Sequence, residues 1–206
     1  MINARIGARA PKHWDFRLFC IAGGFMLLNT VFLWIRHYLD YQLSILWAAI
    51  PAITALSTSV LGIVKLCRRL STSRPRLAKC GSGLAFVACV TLSLAALWLF
   101  AASLFGSGLP NPAPQGFLAL VGIFMVATVC AFLTSASAFL LDNTLRKIGY
   151  LLLIPVVCWG TMLVVGIING LEVGISLDFY ANGVIAIAFL AIGYTLRTSH
   201  ADTGNV

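Results

Sequence analysis

Negative charge is scarce in this chain, and charge of either sign is missing from its long apolar stretches. Six Asp and Glu stand among 206 residues against fourteen Lys and Arg, and charged residues make up 10% of the whole, where a soluble domain carries about 25%. A water-soluble fold needs a charged surface, so the shortage argues against one. The hydrophobic share, 60%, exceeds the roughly 45–50% of globular proteins and fits a chain whose solvent is lipid. The net charge of +8 is therefore no sign of nucleic-acid binding in itself. No aromatic interleaves the densest basic stretch, and nucleic acid is not expected as a partner.

Further absences narrow the chemistry. No Asp, Glu, Lys, Arg or His lies within the long apolar runs, which disfavours a proton-relay antiporter, because ion-coupled transport usually keeps an ionisable group at depth. Two facing carboxylates for aspartyl proteolysis are missing, as is a base beside a buried serine, since His13, His37 and His200 all fall outside the runs. There is no HExxH, no intramembrane His pair for haem, and no CxxC. The six cysteines are scattered. Cys89, Cys130 and Cys158 read as small core fillers, whereas Cys20, Cys67 and Cys80 lie near basic flanks where palmitoylation occurs in eukaryotes. Neither catalytic, cofactor nor metal residues are expected, and no cofactor.

What is present is a series of uncharged apolar segments. About 20 residues at ~1.5 Å each cross a hydrocarbon core of ~30 Å, and the segments 18–35, 43–64, 148–170 and 179–196 meet or approach that length. From Cys80 to Leu141 no charge occurs in 62 residues, too long for one crossing. The sequence SGLPNPAPQG at 107–116 divides it, because Pro110, Pro112 and Pro114 cannot all continue a helix. Spans at 81–105 and 117–141 result. The first span follows Arg5, Arg9, Lys12 and Arg17 like a signal peptide, but it is long and lacks a small-x-small cleavage site before Arg36, so it reads as a retained anchor. The expected fold is an all-α, polytopic six-helix membrane bundle, with a basic N-terminal arm at 1–17, the bundle at 18–196 and a polar tail at 197–206.

Orientation follows from Lys and Arg counted on alternate sides of six crossings. One side collects the four of the arm, Lys65, Arg68, Arg69, Arg74, Arg76 and Lys79, then Arg146, Lys147 and Arg197, which makes thirteen; the other has Arg36 alone. Positive residues resist translocation, so both termini and the 65–79 loop are expected in the cytoplasm, with a prokaryotic inner (plasma) membrane as the expected location. Trp34, Tyr38, Tyr41, Trp47, Phe179 and Tyr180 fall at the outer interface, Trp14, Tyr150 and Tyr194 at the inner one. Lys65, Arg68, Arg69, Arg74, Arg76 and Lys79 would also hold anionic lipid headgroups at ~1 kcal/mol each. Arg68, Arg69 and Ser71 match a short RRxS kinase pattern as well.

The polar residues inside the spans are neutral. Thr54, Ser57, Thr58, Thr134, Ser135 and Asn169 read first as contacts between helices, because hydroxyls and small residues let backbones approach. The four-residue spacing of Ala48/Ala52, Ala55/Ser59, Thr58/Gly62 and Ala127/Ala131/Ser135 agrees. A second reading is a path for a small neutral solute or ion, motivated by Pro51 and Pro155, which interrupt the second span of each half and release the Trp47 and Leu151 carbonyls. Least supported is a lipid-modifying enzyme using His13, Asp15 and Asp142. The favoured expectation is a non-catalytic protein acting through packing with partner subunits, a second copy or lipids. The orientation is checked by a glycosylation acceptor engineered between Arg68 and Arg74: it is expected to stay unmodified, and glycan attachment there would reverse the topology.

Overall fold

The computed structural model describes residues 14–39, 46–70, 75–105, 114–142, 145–170 and 178–201. They form six helices, α1 (Trp14–Tyr38), α2 (Leu46–Leu70), α3 (Pro75–Leu104), α4 (Gln115–Leu140), α5 (Arg146–Asn169) and α6 (Asp178–Ala201), and among the described residues there is no strand. Each helix contains a window long and apolar enough to cross a membrane. The all-α, six-span expectation is met. Arg5, Arg9, Lys12 and His13 of the arm, Tyr41, Arg74, most of the proline turn, Glu172 and the end of the polar tail lie outside the described residues.

Helix ends differ from the expected spans for a physical reason. A charge marks the edge of the hydrocarbon, but the backbone keeps its i→i−4 hydrogen bonds into the headgroup zone, where Lys and Arg heads reach water along their own stems. Hence α2 runs past Lys65 and Arg68 to Leu70, and α3 starts at Pro75, six residues before the expected edge. Proline suits that first position because its missing N–H would be unpaired there anyway. Pro114 likewise precedes α4 with φ −57°. At the far end of α5, Gly170 stops the helix with φ +98°, a conformation that L side chains rarely adopt. Both α2 and α5 run unbroken through Pro51 and Pro155, which are buried.

Consecutive helices pack against one another, and α6 returns to α1, so the six close into a ring. Neighbours are antiparallel: Gly81 of α3 abuts Ser135 of α4 while Trp98 meets Phe117, and Gly193 of α6 abuts Cys20 of α1 while Gly183 faces Thr30. The described basic residues Arg17, Lys65, Arg68, Arg76, Lys79, Arg146, Lys147 and Arg197 thus gather at one end, with Arg36 at the other. Exposed aromatics mark both ends. Trp34 stacks on Tyr38 at 5.9 Å, and Arg146 lies over the Tyr150 ring at 5.8 Å while donating to its hydroxyl at 3.3 Å.

Aromatic rings fill the middle of the ring of helices. Phe132 of α4 meets Trp159 of α5 edge-on at 5.1 Å and Phe189 of α6 at 5.9 Å; Phe189 in turn lies 6.2 Å from Phe19 of α1. Phe19, Phe132 and Phe189 are wholly buried and Trp159 nearly so. Such pairs add about 0.5–1.5 kcal/mol beyond the area they bury. Phe19 needs space, and Gly62 of α2 supplies it: a Cβ there would come within 2.7 Å of the ring.

One helix stands apart. α2 touches α4 directly, and α3 leans on the outside of that pair through Ala78, Gly81, Ala85 and Ala88, with few buried positions of its own. Gly81 and Ala85 meet the Ala131/Ser135 face of α4, so two small-residue stripes lie against each other.

Two glycines test this packing as a pair. A Cβ on Gly149 would lie 2.8 Å from the Leu140 amide nitrogen, forcing α4 and α5 apart, whereas Gly24 has nothing within 4 Å. Gly149→Ala is expected to lower detergent thermal stability by about 1–3 kcal/mol. Gly24→Ala is expected to be neutral or to gain up to ~1 kcal/mol from helix propensity.

Candidate functional site

Lipid offers no hydrogen bonds, so a hydroxyl in a span must find an acceptor within the protein. The shortest reach is the carbonyl three or four residues back on its own helix. Thr54 Oγ1 donates to Ile50 O at 2.9 Å, and Thr58 Oγ1 is shared between Thr54 O and Ala55 O at 2.7 and 3.0 Å. Thr134 Oγ1 is shared in the same way between Cys130 O and Ala131 O at 2.8 and 3.0 Å. Ser59, Thr91, Ser93 and Ser137 follow the same pattern. These groups are satisfied locally rather than by the facing helix.

Ser135 also bonds across helices. Its Oγ donates to Ala131 O at 2.7 Å, and Cys67 Sγ of α2 lies 3.6 Å from the same oxygen. A hydroxyl has one proton to give; with that proton on Ala131 O, the thiol is the donor. Both residues are buried, and this contact ties α2 to α4 behind α3.

The six polar candidates do not converge. Thr54, Ser57 and Thr58 lie partly buried along α2, Thr134 and Ser135 lie in the basic half of α4, and Asn169 is exposed as the last residue of α5 at the opposite end. Between the levels of Thr54 and Thr134 the axis is occupied by the aromatic cluster. Of the groups considered for lipid chemistry, Asp142 sits in the turn joining α4 to α5, where its amide donates to Phe139 O and its carbonyl accepts from Leu145. Asp15 is in the first turn of α1. Among the described residues, no three of His, Cys, Asp and Glu are grouped so as to hold a metal ion.

Two features lie outside the six polar candidates. Asn29 of α1 and Asn182 of α6 are 2% and 3% exposed, and they lie within a residue of the Thr30–Gly183 contact, at one level in the half of the bundle away from the basic end. Asn29 Nδ2 has no hydrogen-bond partner, nor has the buried Thr128 Oγ1 beside the aromatic layer. Asparagine in an apolar run is visible in sequence, but its facing helix is not.

The second is a crevice of about 400 Å³ between α2 and α3, lined by Leu61, Val64 and Phe86, with Arg68 and Lys79 at its basic end and Cys67 and Cys89 further in. The pair α2/α3 packs less extensively than α1/α2 or α3/α4, which leaves this flank open. Of the six residues expected to contact anionic lipid, Lys65, Arg68, Arg76 and Lys79 are exposed at this end, Arg69 lies in the last turn of α2, and Arg74 lies outside the described residues.

No protein-family model, curated protein or solved structure matches this chain.

Labelling separates buried positions from reachable ones. In a background with the native cysteines replaced, Thr134→Cys and Ser135→Cys are expected to resist a membrane-impermeant thiol reagent, whereas Asn169→Cys reacts. Rapid labelling at 134 or 135 would place water where packed side chains are expected.

Proposed function

We propose that this integral membrane protein has no catalytic centre and acts through the contacts its helices make with lipid and with partner subunits or a second copy of itself. We place it in a prokaryotic inner (plasma) membrane with both termini in the cytoplasm, on the strength of the charge asymmetry. The observation that carries the non-conducting part of the reading is the aromatic layer of Phe19, Phe132, Trp159 and Phe189, which occupies the axis along which a solute would pass. The inward hydroxyls support it too, since groups already bonded to their own helix are poor substitutes for a solute's hydration shell. The basic end supports a lipid role, since Lys65, Arg68, Arg76 and Lys79 are exposed there and such residues beside a span attract anionic headgroups.

A facilitator for a small neutral solute or ion is the competing reading. It draws on Asn29 Nδ2 and Thr128 Oγ1, buried polar atoms that a passing solute could bond. The purified chain in vesicles decides between them by stopped-flow light scattering with glycerol and urea and by potassium flux. The proposal expects rates equal to those of protein-free vesicles. Permeation above that background, abolished by Asn29→Leu, would establish the conduit instead.

A further inference from the structure

We propose that the crevice between α2 and α3 is a binding site for one anionic phospholipid of the leaflet at the basic end. This deepens the lipid-contact part of the proposed function and rests on it, but not on whether the chain conducts solutes.

The crevice has the polarity of such a lipid along its length. Arg68 and Lys79 line its basic end, Leu61, Val64 and Phe86 line its trough, and no Asp or Glu is among its described lining residues. From Lys79 to Cys89 the α3 wall covers ten residues, about 15 Å at ~1.5 Å per residue. That is one leaflet of a hydrocarbon core ~30 Å thick. Two cations at headgroup level above an apolar trough of leaflet depth match a phosphate above an acyl chain. A free phosphate would leave the trough unused, and a zwitterionic lipid would set its own positive group against the two cations that attract its phosphate.

The trough is open toward the lipid. Phe86 is 68% and Leu61 52% exposed, so a chain can enter sideways without passing through the bundle. The Ser82 hydroxyl, also in the lining, donates to Lys79 O at 3.0 Å and is thereby spent on the backbone, which keeps the wall apolar. The volume, about 400 Å³, lies in the ~300–1,000 Å³ range of sites that take small organic ligands. The site exists because α3 leans outside the α2/α4 pair, so the α2/α3 seam is never filled from the core side.

Native mass spectrometry of the full chain released from detergent, titrated with phosphatidylglycerol or phosphatidylcholine of identical acyl chains, tests this. One phosphatidylglycerol is expected to remain bound, favoured roughly tenfold or more over phosphatidylcholine, as two basic contacts imply. Arg68→Gln with Lys79→Gln is expected to erase the preference. Arg146→Gln with Lys147→Gln, at the same end but outside the crevice, is expected to keep it. Val64→Trp, which fills the trough, is expected to lower retention of both lipids. Equal retention of the two lipids, a preference surviving the Arg68/Lys79 pair, or equal loss in the Arg146/Lys147 pair would overturn the site. So would displacement by excess inorganic phosphate, which would mark a free-anion site, or a bound polypeptide in place of lipid. Solute flux accompanied by this lipid pattern would sink the non-conducting reading and leave the site standing.

Discussion

Every feature of this molecule answers to one constraint: the hydrocarbon around it accepts no hydrogen bonds. An unpaired backbone group there costs several kcal/mol, so helices extend unbroken to the headgroup zone and even run through Pro51 and Pro155. The same constraint folds Thr58, Thr134 and their like back onto their own carbonyls. Most of the described hydroxyls in the spans are thereby satisfied within their own helix, with the unpaired Thr128 Oγ1 and Asn29 Nδ2 and the Cys67–Ser135 contact standing apart. What remains for the faces between helices is shape.

Shape is supplied by two devices. Where α1, α4, α5 and α6 meet, aromatic rings fill the axis, and Gly62 of α2 hollows a seat for Phe19. Where α3 meets α4, the rings give way to Gly81, Ala85, Ala131 and Ser135, which bring two backbones close. The large-residue centre holds five helices around it, whereas the small-residue seam attaches the sixth to the flank. An open crevice between α2 and α3 is the consequence of using both.

The spans were legible because they are defined by transfer into lipid, a property of composition that needs no knowledge of neighbours. The small stripe Ala127/Ala131/Ser135 was legible for the same reason, and it lies in the α3/α4 seam. Its partner stripe, Gly81/Ala85/Ala88, steps by four and then three residues along one helix face and could have been found. The aromatic layer could not. A helix with lipid on one side and protein on the other is apolar all round, so the contrast that reveals a buried face in a soluble helix is absent. Phe132 at 0% and Phe86 at 68% exposure look alike in sequence. The partnering of Cys67 with Ser135, 68 positions apart, is likewise set by tertiary placement that no local pattern encodes.

The central claim is that lipid, not water, is the medium that surrounds these helices, and α3 tests it best because little protein covers it. Backbone amide exchange of the full chain in lipid nanodiscs is the direct measurement. The account predicts six protected blocks coincident with the six helices, with the middle of α3, around Ala85 to Ala95, as slow as the middle of α4. Fast exchange through that part of α3 while the other five helices stay protected would show water against its outer face, and would contradict the account.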